Sequence, residues 1–162
     1  MGIFIHEGDL PADVTFQGDI AVDTEAMGLN PARDRLCVLQ ISDGQGDVHL
    51  VHFKRGEYTA PNLKKVLSNP AITKLFHFAR FDVALIRAYL GVVVQPIYCT
   101  KIASKLARTY TDRHGYKELC KELLGVDVSK AQQSSDWGSD SLSEEQKAYA
   151  ATDVLYLHML RD

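Results

Sequence analysis

The stretch DIAVDTEAMGLNPARDRLCVLQISDGQGDVHLV, residues 19–51, decides how the chain folds. Its segments Asp19–Val22, Leu36–Ile41 and Val48–Val51 are short and aliphatic, and turn-forming runs at Gly28–Asp34 and Asp43–Asp47 separate them. Strands on such short connections predict an antiparallel meander. Asp23 and Glu25 stand two apart at the end of the first strand, where alternate side chains share a face. Both carboxylates therefore point the same way.

Outward from this stretch the pattern changes. Asn62–Leu67 reads as a short helix, Thr73–Phe78 as a buried strand, and Arg80–Tyr89 as a helix stopped by Gly91. Val92–Tyr98 contains Pro96 and suits a short or edge strand. Thr100–Ala107 and Tyr116–Leu124 read as helices, the second closed by Gly125. The polar run Asp127–Ser141, with the lone Trp137, reads as an ordered loop placed to lie over a site. Ser143-Glu144-Glu145-Gln146 is a capping box opening a last helix whose inward stripe is Tyr149, Asp153, Tyr156 and Leu160. The expected class is α/β: a mixed five-stranded sheet, antiparallel meander then parallel strands, flanked by helices. Residues 1–162 are expected to form a single domain.

The chain has 162 residues, 46% hydrophobic and 24% charged, enough to bury one core without disulfide support. The N-terminus lacks a basic region followed by an apolar run, and no stretch approaches the roughly 20 apolar residues of a membrane span. A cytoplasmic protein without membrane attachment is expected. Cys37, Cys99 and Cys120 are widely spaced within apolar or periodic segments and read as core residues. The net charge of −3, from 18 basic and 21 acidic residues, argues against a protein that coats nucleic acid. A short anionic substrate is compatible with it.

The chemistry resides in acids embedded in apolar surroundings: Asp23 and Glu25, then Asp82 in FHFARFDVALI, then Asp153 in YAATDVLYL. Four converging carboxylates repel one another, and hard divalent cations between them would relieve that. Two such ions about 3.5–4 Å apart support in-line phosphodiester hydrolysis, one activating water and one stabilising the leaving oxygen. Tyr149, one turn before Asp153, can hold the attacking water. Each residue has a plainer reading: a turn pair, a helix-start Asp, a core aromatic. Their joint occurrence in matching elements favours the chemical one.

With these motifs, the chain resembles the DnaQ-like 3′→5′ exonucleases. DTEAMGLNPARDRLCVLQIS is similar to their first motif, KLFHFARFDVALI to the second and YAATDVLYL to the third. The Tyr-x-x-x-Asp form of the third places the resemblance in the DEDDy branch, near ribonuclease D. CTKIASKLARTYTDRHG brings it closest to the small nanoRNase C-type exoribonucleases.

The resemblance implies a ribonuclease H-like fold, with Asp23, Glu25, Asp82 and Asp153 as ligands of two Mg2+ or Mn2+ ions and Tyr149 as the water-positioning residue. It further implies 3′→5′ hydrolysis of short RNA, dinucleotides included, by a homo-oligomer, an octamer in that family. Trimming of DNA 3′ ends, transfer-RNA processing and a catalytically silent nucleic-acid-binding scaffold are the alternatives. The chain stops shortly after the third motif, so the resemblance also implies that a C-terminal extension is missing. Thr24, Met27, Leu29, His77, Phe78, Lys130, Gln133 and Trp137 are the expected substrate contacts. Met27 and Leu29 read equally as base wedges or core. Of the neighbours His77 and Phe78, only one is expected to face the site. Arg33, Arg35, Arg108 and Arg113 are read first as surface charges.

Overall fold

The computed structural model describes residues 2–162. In chain order the elements are β1 (Ile3–Glu7), β2 (Ile20–Ala26), β3 (Leu36–Ser42), β4 (Val48–His52), α1 (Pro61–Ser68), β5 (Lys74–Phe76), α2 (Ala79–Leu90), β6 (Ile97–Cys99), α3 (Thr100–Ala107), α4 (Tyr116–Leu119), α5 (Glu144–Leu155) and α6 (Leu157–Arg161). A π-helical turn, Cys120–Leu124, continues directly from α4.

The sheet has the order β1-β4-β3-β2-β5-β6. The expected meander is there: β2 pairs with β3 and β3 with β4, both antiparallel. β5 then lies parallel to β2, and β6 parallel to β5. The sheet has six strands rather than five, because β1 adds in parallel to β4 at the edge. Its sequence Ile-Phe-Ile-His-Glu has three apolar residues in a row and no apolar/polar alternation from which a half-buried strand could be read, and four of the five are exposed.

Both faces are covered. Ile20, Val22, Leu39 and Val51 pack against Leu63 and Leu67 of α1 and Leu85 and Ile86 of α2. Ala21, Val38, Leu50 and Leu75 pack on the other face against Ala150, Ala151 and Val154 of α5 and Leu157 of α6. The face that α5 turns to the sheet is thus made of small and branched residues. The stripe Tyr149, Asp153, Tyr156 and Leu160 is half-buried beside it, and of the four Tyr149 and Asp153 border a cleft while Leu160 packs against the core.

The chain also departs locally from the expected pattern. The strand after α1 is only Lys74–Phe76, since the chain turns away at Phe78 with φ +63°. Lys74 is fully buried, its ammonium donating to the carbonyls of Asn69 and Gln95 at 2.5 and 3.0 Å. The helix expected over Tyr116–Leu124 widens into a π turn after Leu119 before Gly125 closes it at φ +69°. Of the four arginines, Arg35 and Arg108 are internal ties. Arg35 donates to the carbonyls of Phe53 and Gly138, and Arg108 bonds Ser104, Glu122 and the Arg113 carbonyl.

The N-cap position of α1 is Ala60, which has no capping side chain. Asp9, far away in sequence, serves instead: its carboxylate accepts the N–H groups of Asn62 and Leu63 at 3.0 and 2.8 Å. Asp9→Ala is expected to lower stability by about 1 kcal/mol, the usual cost of a lost N-cap. Urea denaturation checks this; an unchanged midpoint would show that water caps the helix equally well.

Candidate active site

β2 runs past Val22 to Ala26, so Asp23 and Glu25 stand within the strand and share its α5 face. Asp153 reaches them from α5, and one carboxylate oxygen from each of the three lies within 4.8 Å of the others. The capping box that starts α5 is formed: Gln146 N–H donates to Ser143 Oγ, and Ser143 N–H to Gln146 Oε1. Asp82 comes from the first turn of α2, on the opposite side of the sheet, and is almost fully buried.

Two neighbours hold this cluster. Thr24, facing away from Asp23 and Glu25, donates its hydroxyl to Asp82 Oδ1 at 2.5 Å. Expected from sequence as a substrate contact, it borders the cleft over the acids, while its hydroxyl is engaged inside the protein and ties α2 to β2. Gln40, opposite Asp23 in the β2–β3 register and fully buried, donates its amide to Asp23 Oδ2 at 3.3 Å and Glu25 Oε1 at 3.2 Å. Gln40 was not among the expected site residues. Its signal was available: a lone amide inside the apolar strand LCVLQIS.

Burial, reinforced by mutual repulsion, pushes Asp23 and Glu25 well above the ordinary carboxylate range. Burial likewise raises Asp82 to about 8 and Asp153 to about 6. Clustered acids in a low-dielectric setting can be neutralised by protons or by cations. A hard oxygen donor set this close fits a magnesium- or manganese-type ion, and Asp23, Glu25 and Asp153, with Asp82 alongside, are the residues that could hold it.

Above the acids is a cavity of about 840 Å³. Met27 and Leu29 are 51% and 85% exposed at its rim, which excludes the core reading for both. Gly138 permits the close approach of Met27, since a Cβ there would lie 2.6 Å from the Met27 sulfur. His77 and Phe78 both line the cavity, against the expectation that only one would. Strand alternation ends at Phe76, and the left-handed turn at Phe78 swings its ring, 46% exposed, to the same side. Burial lowers the His77 pKa to about 4, and its Nδ1 bonds the Thr100 hydroxyl at 2.8 Å.

A second lobe of about 270 Å³ shares Asp23, His77, Tyr149 and Asp153 and is lined by Lys101, Lys117 and Lys130. Gln133 borders both lobes, as the polar loop was expected to do. Trp137 does not: it is 1% exposed, its ring centroid 5.9 Å from that of Tyr149. The expectation of a substrate contact is corrected here, because the indole backs Tyr149 instead of facing the cleft. Burial and the nearby acids push the Tyr149 phenol up, so it stays protonated at neutral pH.

A family model described as 3′–5′ exonuclease matches residues 9–162. Ribonuclease D of Acidiphilium cryptum is 36% identical over 138 residues, which make up 85% of this chain and 35% of that protein. Brucella melitensis NrnC bound to pGG superposes with a TM-score of 0.94 at 56% identity, covering 99% of this chain and 78% of that one. The same NrnC with bound Mg2+ superposes with a TM-score of 0.94 at 54% identity, covering 99% and 79%. The chain thus spans only about a third of the length of the ribonuclease D relatives it matches. Among the described residues no helix is long and apolar enough to cross a membrane.

The raised carboxyl groups predict how metal-free protein responds to pH. Unfolded, these acids titrate near 4; folded, Asp153 and Asp82 titrate near 6 and 8. The folded state binds the extra protons, so their stabilisation is complete below about pH 4 and is lost as pH rises through 6 and 8. In EDTA, Tm is expected to fall between pH 5 and pH 8, less steeply in Asp82→Asn, and added Mg2+ should raise Tm more at pH 8. A flat profile with equal Mg2+ effects would contradict the assignment.

Proposed function

The chain belongs to the 3′–5′ exonuclease family, and on that premise we propose that it hydrolyses short oligoribonucleotides, dinucleotides included, from the 3′ end to 5′-mononucleotides, using two Mg2+ or Mn2+ ions. The carrying observation is the convergence of Asp23, Glu25 and Asp153 within 4.8 Å on the floor of a cavity with an apolar rim and a lysine-lined lobe. Residues 1–162 are read as one exonuclease domain. The NrnC relative holding pGG supports the short substrate, and the one holding Mg2+ supports the cation.

When bound, the cations supply an acidified water and stabilise the leaving 3′-oxygen. The chain's own residues do the rest. Asp23, Glu25, Asp82 and Asp153 hold the cations, and the Gln40 amide and Thr24 hydroxyl fix carboxylate orientation. The protonated Tyr149 hydroxyl holds the attacking water by a hydrogen bond and does not act as its base. The water oxygen bonds to phosphorus as the bond to the 3′-oxygen breaks; the proton the water gives up passes to solvent, and the leaving 3′-oxygen takes up one from solvent. Met27, Leu29 and Phe78 offer apolar and aromatic surface to the bases, Phe78 lying beneath the Lys101 ammonium at 4.2 Å. Lys101, Lys117 and Lys130, with Gln133 beside them, suit the substrate phosphates.

Exposed Ile102, Leu106, Tyr110, Leu123 and Met159 favour association with further copies, and the octamer is proposed from the resemblance. Light scattering is expected to give a mass several times 18.0 kDa; a monomer would remove this part of the reading.

The activity is tested with labelled di- to pentaribonucleotides, their deoxy counterparts and a structured transfer-RNA precursor. Metal-dependent mononucleotide release, fastest on the shortest RNA, is expected. Preference for DNA or for the precursor would favour trimming or processing instead. No release at all would favour a silent scaffold. Asp153→Asn is expected to cut turnover by more than about 100-fold while the protein stays folded, since it removes charge and little volume.

A further inference from the structure

The helix that carries Asp153 is broken just beyond it. α5 ends at Leu155 and α6 begins at Leu157, with Tyr156 between them at φ −107° and ψ 0°. Neither proline nor glycine occurs from Glu144 to Arg161, so the sequence supplies no local breaker. In an unbroken helix the Tyr156 N–H would donate to the Thr152 carbonyl, four residues back. The phenolic hydroxyl of Tyr116 stands in that rung. It donates to the Thr152 carbonyl oxygen at 2.5 Å and accepts from the Tyr156 N–H at 3.3 Å. A side chain inserted in the i→i−4 ladder is a recognised cause of a break.

Past the break, α6 docks on the root of β2. His158 Nε2 donates to the Asp19 carbonyl oxygen at 2.8 Å, and the Arg161 guanidinium to the Asp19 carboxylate at 2.7 Å. Asp19 directly precedes the strand bearing Asp23 and Glu25. The segment carrying Asp153 is therefore held from two sides, by Tyr116 within the ladder and by Asp19 beyond it. Tyr116 is itself fixed at the start of α4, its ring 5.9 Å from that of His77, and leads into the π turn. Such turns recur at functional sites.

We propose that Tyr116 is a positioning residue for the carboxylate cluster: its hydroxyl breaks the helix so that Asp153 meets Asp23 and Glu25 while α6 stays anchored to Asp19. This rests on the reading that the acids hold divalent cations. Without the hydroxyl the rung between Thr152 and Tyr156 can close, and the straightened helix cannot satisfy both constraints. The Tyr116 ring borders the lysine-lined lobe, but its hydroxyl is taken up by the Thr152 carbonyl and the Tyr156 N–H, so the role assigned to that hydroxyl runs through Asp153.

Mn2+ binding to the full chain, followed by electron paramagnetic resonance and calorimetry, tests this without recourse to activity. Tyr116→Phe keeps the ring and removes the hydroxyl. It is expected to weaken Mn2+ binding by about 10–100-fold, the usual effect of losing an outer partner of a metal site. RNA cleavage by the same variant should show a raised metal requirement, with turnover largely recovered at saturating Mn2+. Tyr58→Phe is the control, because it loses a comparable hydroxyl bond to the Leu36 carbonyl, 2.7 Å long and outside the site. It should lower Tm and leave Mn2+ affinity unchanged.

Arg161→Ala, which loosens the same segment from the Asp19 side, should weaken Mn2+ binding by a smaller factor, and it serves where Tyr116→Phe does not fold. Wild-type affinity in Tyr116→Phe or in Arg161→Ala, or equal weakening in Tyr58→Phe, overturns the proposal alone. Failure of the unaltered protein to bind Mn2+ overturns the functional reading and the proposal with it.

Discussion

Everything in this molecule answers to the repulsion among acids packed into a poorly solvated corner of one sheet. Burial raises the cost of each charge, and each charge raises it further for its neighbours. A stable fold can carry such a group only if rigid elements hold it together against that repulsion and a positive species can enter. The first requirement explains the architecture. The second explains why an open cavity adjoins so buried a cluster.

The rigidity is distributed over both faces of the sheet. β2 presents Asp23 and Glu25 toward α5 and Thr24 toward α2, so one strand ties down the helices that bring Asp153 and Asp82. Strand alternation alone could not unite the four, because Asp82 approaches from the other layer. The Thr24–Asp82 hydrogen bond spans that gap. Gln40, from the neighbouring strand, keeps the two β2 carboxylates in fixed orientation, using an amide where a charged donor would itself need to be desolvated.

The same arrangement separates duties around the cleft. Apolar side chains at Met27, Leu29 and Phe78 are exposed because the chain turns sharply beside them, whereas lysines gather in the adjoining lobe. On the proposed function, a short nucleotide has apolar surface on one side and lysine charge on the other, with the acids between. Trp137 contributes by burial, backing Tyr149, and its polar surroundings in sequence hid that role.

What the sequence alone determined is the local part of this picture. The meander, the common face of Asp23 and Glu25, the capping box at Ser143 and the one-turn spacing of Tyr149 and Asp153 all follow from periodicities of two and 3.6, which are set within a few residues. The edge strand β1, the Asp9 cap on α1, the hydroxyl of Thr24 on Asp82 and the break that Tyr116 makes in the last helix depend on partners tens of residues away. Such contacts leave no mark on local pattern. Only tertiary packing could decide them, because each joins groups whose separation is a property of the folded chain and not of their order along it.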